Sequence, residues 1–235
     1  MTQWQGKKWY CYGTSMSSNQ TVSASASIGK KPNGEPNTGA RMGWYSTHLA
    51  SLSGLIEHNF AKGGFGIVPA VHGADCNKDR VMRLSDGKAE ADLITVEVIP
   101  NDFGNAPLGT ITDLGDETFC GNLNQMLAYL LENTKACIVV LIASRPRYLV
   151  TDPSETYTPT GDLMQEHMLW EKAVEDICRM HGVPCLNGAA EANLGYHRVK
   201  NTTLYLQDQI HLTEKGGKAL AQYFWGKLQT IYPQD

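Results

Sequence analysis

Ser15 and the pair Asp208 and His211 are the residues of this chain whose types and spacing could do chemistry together. Ser15 stands in Gly13-Thr14-Ser15-Met16, directly after the aromatic-rich run Lys8-Trp9-Tyr10-Cys11-Tyr12. That run reads as a first strand. A tight turn after it would hold Ser15 at the strand's carboxyl end, the edge where open α/β sheets bind ligands. In Asp208-Gln209-Ile210-His211 a carboxylate and an imidazole stand three residues apart. The carboxylate can fix the ring's tautomer through one nitrogen and leave the other to take a proton from a serine. Two donors complete the set. Asn59-Phe60-Ala61-Lys62-Gly63-Gly64 offers a backbone N–H at a glycine, with Gly64 in the favoured register, and Pro100-Asn101-Asp102 offers the uncharged amide of Asn101. Either suits a developing oxyanion.

Taken singly, each feature has a plainer account. Ser15 suits a turn serine, Asp208 and His211 a loop pair before a helix cap, the glycines a turn, and Asn101-Asp102 a strand stop. Their placement together is what points to acyl transfer, because each sits just past a different expected strand.

The elements that must position them follow from periodicity. Beyond Lys8–Tyr12, strands are expected over Leu55–Phe60, Asp92–Ile99, Ala136–Ala143 and Val183–Leu186. The fourth is almost continuously apolar, as a central parallel strand covered on both faces should be. Met42, Tyr45, Leu49 and Leu52 recur at helical spacing, as do Phe119, Leu123, Met126, Leu127, Leu130 and Leu131. Leu163, His167, Trp170, Val174, Ile177 and Cys178 mark a third helix. Thr213 reads as the N-cap of a last one, with Leu220, Phe224, Leu228 and Ile231 inward. Gly29–Gly43 and Arg145–Asp162 read as loops, and the polar stretch from Gly66 to Asp86 has room for a short helix. Strands alternating with helices imply a parallel sheet with right-handed crossovers, and one domain over residues 1–235 is the economical count. The long polar loops all follow strands, so they gather on one edge of the sheet.

The four blocks, in this order, resemble the SGNH/GDSL hydrolase family. Gly13-Thr14-Ser15 matches its Gly-Asp-Ser turn, Asn59 through Gly64 its glycine block, Pro100-Asn101-Asp102 its Gly-x-Asn-Asp block, and Asp208 through His211 its Asp-x-x-His. The resemblance runs from Tyr12 to the last helix. It departs at Thr14, where the family has Asp, and at Ile99, where it has Gly. It implies a three-layer α/β/α sandwich, flavodoxin-like, on five parallel strands in order 2-1-3-4-5. It also implies a serine esterase acting on short acyl groups such as acetyl, in a small-molecule or carbohydrate ester. Ser15 would be nucleophile, His211 base and then acid, and Asp208 the orienting carboxylate. The Ser15 N–H, the Gly64 N–H and the Asn101 amide would hold the oxyanion, with no metal or cofactor. An acyltransferase of the same fold uses the same residues.

Composition narrows the alternatives. A net charge of −4 offers no basic field for nucleic acid. No apolar run approaches a membrane span. The amino-terminal residues hold no apolar signal core, so a cytoplasmic protein is expected, with its six cysteines as reduced thiols. A rival reading makes the hydroxyl-rich stretch Thr14, Ser15, Ser17, Ser18 and Thr21 a phosphate cradle for FMN, which leaves Asp208 and His211 without a role. His72 and Asp75, beyond Gly64, and Arg145 and Arg147, past the fourth strand, are further residues of the functional edge. The remaining histidines, 48, 58, 167, 181 and 197, read as packed or surface residues.

Overall fold

The computed structural model describes residues 2–19, 44–143, 162–194, 211–231 and 233, together with the backbone of 27–30 and 36–38. Thr21, Met42, Arg145, Arg147, His197 and Asp208 lie outside the described residues. Among the described residues the elements run β1 (Lys8–Tyr12), β2 (Ser27–Lys30), β3 (Pro36–Thr38), α1 (Tyr45–Ser53), β4 (Ile56–Asn59), α2 (Pro69–His72) and α3 (Asn77–Met82). A 3-10 turn at Lys88–Glu90 leads to β5 (Leu93–Glu97), α4 (Phe119–Asn133), β6 (Cys137–Ile142), α5 (Asp162–His181), β7 (Cys185–Asn187), α6 (Gly188–Glu191) and α7 (Glu214–Leu228).

Five strands form one sheet in the order β4-β1-β5-β6-β7, every neighbouring pair parallel. This is the expected 2-1-3-4-5 order, with β1 and β5 in the interior. Side chains alternate across the sheet with period two. Trp9, Cys11, Leu93, Val139 and Leu141 meet Tyr45 and Leu49 of α1 and Leu220, Phe224 and Leu228 of α7. Tyr10, Ile94, Val96, Ile138 and Val140 meet Leu123, Leu127 and Leu130 of α4 and Trp170, Val174 and Ile177 of α5. Helices therefore cover both faces. All six residues of β6 are buried, which accounts for its unbroken apolar run. Thr118 and Thr213 cap α4 and α7, their hydroxyls accepting from the N–H of Gly121 and Gly216 at 3.1 and 3.2 Å.

Several expectations need correction. The stretch read as a loop over Gly29–Gly43 contains β3, and with β2 it forms a separate antiparallel pair. Neither segment shows the alternation that announces a strand. Leu52, Leu131 and Leu163 have helical spacing but are exposed. The fifth strand starts later than Val183, whose N–H donates to Cys178 at 2.9 Å and closes α5 instead. All six cysteines are free thiols, five of them buried. Among the described residues no helix is long and apolar enough to cross a membrane.

Candidate active site

Ser15 owes its position to the way β1 ends. Gly13 has φ +154°, and a Cβ there would stand 2.7 Å from Oε2 of Glu97 and 2.8 Å from its Cβ. Only glycine lets the chain cross so closely over β5. The N–H groups of Ser17 and Ser18 then fold back onto the Thr14 carbonyl at 3.2 and 3.1 Å. This single turn lifts Ser15 off the end of the sheet. His211 arrives from the far end of the chain, two residues before the Thr213 cap of α7, and is itself buried. Its Nε2 lies 2.7 Å from the Ser15 hydroxyl. With that nitrogen unprotonated the serine donates to it, as a nucleophile and its general base must. Two of the residues expected to act together are thus in contact across 196 positions of sequence. Asp208 lies outside the described residues.

The two expected oxyanion donors belong to segments that bind each other. Past β4 the chain keeps beside β1, the N–H of Phe60 donating to Cys11 at 2.8 Å and that of Lys62 to Gly13 at 2.9 Å. Gly63 and Gly64 follow at once. Gly64 is exposed at φ +81°, with open space where a Cβ would stand. The next carbonyl, that of Phe65, accepts from Nδ2 of Asn101 at 3.1 Å. Asp102, fully enclosed, completes the clamp. It accepts the N–H of Ile67 at 2.9 Å and of Val68 at 3.2 Å, and its Oδ1 lies 3.1 Å from Nε2 of His72. Residues 65–72 are in this way strapped to residues 101–102. Ile99, at the position where the resemblance expects glycine, is buried with φ +90°. For a β-branched residue that is a strained backbone, and such strain collects at functional sites.

Sequence reasoning missed Glu97. It closes β5, and it is buried beneath the serine turn. Its Oε2 accepts the Thr14 N–H and the Thr14 hydroxyl, both at 2.7 Å, and the Ser17 hydroxyl at 3.2 Å. Burial pushes the carboxyl up to about 7; the three donors pull the other way, and nearby Asp102 adds to the rise. The signal in the sequence was an acidic residue near the end of an otherwise apolar strand, because a buried carboxyl demands partners. His72 and Asp102 were visible only as separate residues, and their pairing is a product of the fold. The plainer reading of the other described histidines agrees with their surroundings. His48 stacks on Trp44, His58 lies tilted against Tyr10, His167 pairs with Glu171 at 2.9 Å, and His181 meets Asn124 at 3.0 Å.

Of the five hydroxyl residues of the supposed phosphate cradle, Thr14 and Ser17 are engaged by the Glu97 carboxyl and Ser15 by His211. An anion seated there would face a buried acid.

The sequence matches no protein-family model and no curated protein. Its structure is nevertheless similar to solved ones along almost the whole chain. A structural-genomics protein from Lactobacillus plantarum superposes with a TM-score of 0.70 at 20% identity, covering 97% of this chain and 99% of that one. A catalytic mutant of Axe2, an acetylxylan esterase from Geobacillus stearothermophilus, gives 0.62 at 15% identity, covering 97% and 96%. A protein from Chitinophaga pinensis described as a possible lipase gives 0.59 at 17% identity, covering 96% and 98%. At such identities the likeness concerns architecture: this chain has the α/β fold of a group of structures that includes esterases.

Proposed function

We propose that the protein is a serine esterase of the SGNH/GDSL type, cleaving short acyl esters such as acetyl esters, with a carbohydrate as a fitting alcohol. The 2.7 Å contact between the Ser15 hydroxyl and His211 Nε2, at the carboxyl edge of a parallel sheet, carries this reading. His211 takes the hydroxyl proton as Ser15 Oγ attacks the ester carbonyl carbon. The carbonyl oxygen becomes an oxyanion, received by the Ser15 N–H, the Gly64 N–H and the Asn101 amide. His211 then gives the proton to the departing alcohol, which leaves an acyl-serine. Water, deprotonated by the same ring, releases the acid and restores Ser15. Asp208 orients the imidazole and favours its charged form. The acetyl preference draws on the resemblance and on the acetylxylan esterase among the structural neighbours.

A panel of p-nitrophenyl esters from acetate to decanoate, run on wild type and Ser15→Ala, tests the reading. Hydrolysis of the shortest esters, lost in the variant, is the expected result. A fluorophosphonate should add once, at Ser15. Hydrolysis or labelling that survives Ser15→Ala would remove Ser15 from the reaction.

A further inference from the structure

We propose that Glu97 is the positioning residue of the serine turn, its buried carboxyl being the acceptor around which Thr14 and Ser17 are set so that the Ser15 hydroxyl meets His211. The inference rests on reading Ser15 as the nucleophile. Its basis is which groups Glu97 holds. The three donors on Oε2 come from Thr14 and Ser17, the residues just before and two after Ser15. The Thr14 hydroxyl in turn accepts the N–H of Met16 at 3.2 Å. The Ser17 hydroxyl also bonds the phenol of Tyr45 on α1. The direction of Ser15 is therefore set from both sides by a frame that ties the turn to β5 beneath it and to α1 beside it. Gly13 is the opening through which Glu97 reaches this frame.

The arrangement is expensive for folding alone. Among the described residues, the buried Oε1 of Glu97 has no hydrogen-bond partner. An apolar side chain at that place would avoid desolvating a carboxyl, but it would leave the Thr14 N–H and two hydroxyls without their acceptor. What an apolar residue could not do is gather the Thr14 N–H and two hydroxyls onto one atom. Misplacing a nucleophile by a fraction of an ångström lowers turnover without altering how substrate is held.

Three variants test this. Glu97→Met removes the acceptor; kcat on the best p-nitrophenyl ester should fall roughly 10²-fold with KM little changed. Glu97→Gln keeps an oxygen facing the donors and should recover most of that loss, which a role in packing alone would not require. Backbone hydrogen exchange of the segment Gly13–Ser18 gives a readout independent of activity. It should quicken in Glu97→Met and return towards wild type in Glu97→Gln. Exchange unchanged in Glu97→Met, or a folded Glu97→Met protein with wild-type kcat, would overturn the inference. Should Glu97→Met fail to fold, the double variant Thr14→Val with Ser17→Ala removes the two hydroxyl donors and leaves the carboxyl in place. A normal kcat in that protein would likewise overturn it. A wild type that cleaves no ester at all would sink the proposed function instead, and the exchange comparison would still decide the role of Glu97.

Discussion

Asn101 donates an amide hydrogen to the carbonyl oxygen of Phe65, 3.1 Å away. A primary amide carries two such hydrogens, so this bond aims the group and leaves the other hydrogen for the oxyanion of the proposed reaction. Such a contact strengthens only as negative charge develops, in the transition state. Asn101→Ala should lower kcat by roughly 10²–10³, or about 3–4 kcal/mol, with KM little changed. Steady-state kinetics and a thermal melt on the same preparation check it. A destabilised variant with near-normal turnover would make Asn101 a turn residue only.

Asp102, next to Asn101, is a second anchor for the same segment. A Cβ at Gly66 would come within 2.2 Å of its Oδ1, so nothing but glycine permits the approach. Asp102→Asn turns an –NH2 towards donors that need an acceptor. One buried N–H left unsatisfied should cost about 1–3 kcal/mol. Urea denaturation measures this. An unchanged midpoint would show that the strap between residues 65–72 and 101–102 holds without the carboxylate.

Glu97 should leave a mark on stability as a function of pH. Its carboxyl titrates at about 7 in the folded chain, against an ordinary 4.5. The folded state therefore holds the proton more tightly. The stabilisation is fully present below pH 4.5 and is lost as pH rises through about 7. The gap amounts to about 3 kcal/mol, an order-of-magnitude figure. The groups facing it are Thr14 and Ser17 of the turn, Cys11 of β1, Tyr45 of α1 and Asp102 beyond β5. Melting temperatures of wild type should decline from pH 5 to 8 relative to Glu97→Gln. Parallel curves for the two proteins would mean the buried acid does not titrate in that window.

Ile99 sets strain against packing. Its φ of +90° costs a β-branched residue about 1–3 kcal/mol, which glycine would relieve. Its buried side chain contributes about 2–5 kcal/mol, and glycine also adds unfolded-state entropy. Packing wins on these magnitudes. Ile99→Gly should destabilise the fold by about 1–3 kcal/mol in equilibrium denaturation. A more stable glycine variant would show that the strain is the larger quantity.

The sheet was legible because its interior strands are apolar runs whose period and length leave few alternatives. Ser15 and His211 were legible for a related reason: each flanks an element whose end the sequence marks, β1 by Gly13 and α7 by Thr213. What depended on distant neighbours was not legible. Whether Leu131 faces core or water depends on which helix lies beside it. The pairing of His72 with Asp102 joins residues 30 apart, one closing α2 and the other in the turn after β5. Glu97 looked like one more strand residue until the turn above it supplied three donors. The β2–β3 pair has no side-chain pattern to announce it.

The hydrogen bond between Ser15 and His211 has a meaning for the history of each molecule. Ser15 leaves the ribosome with the first strand, and His211 follows 196 residues later. At cellular synthesis rates that interval is about 10–40 s. Through all of it the serine lacks its imidazole partner, and under the proposed function it is an ordinary alcohol. Under that proposal a nascent or truncated chain that has folded its first strands is chemically silent, and a probe for activated serine counts only molecules on which α7 has docked.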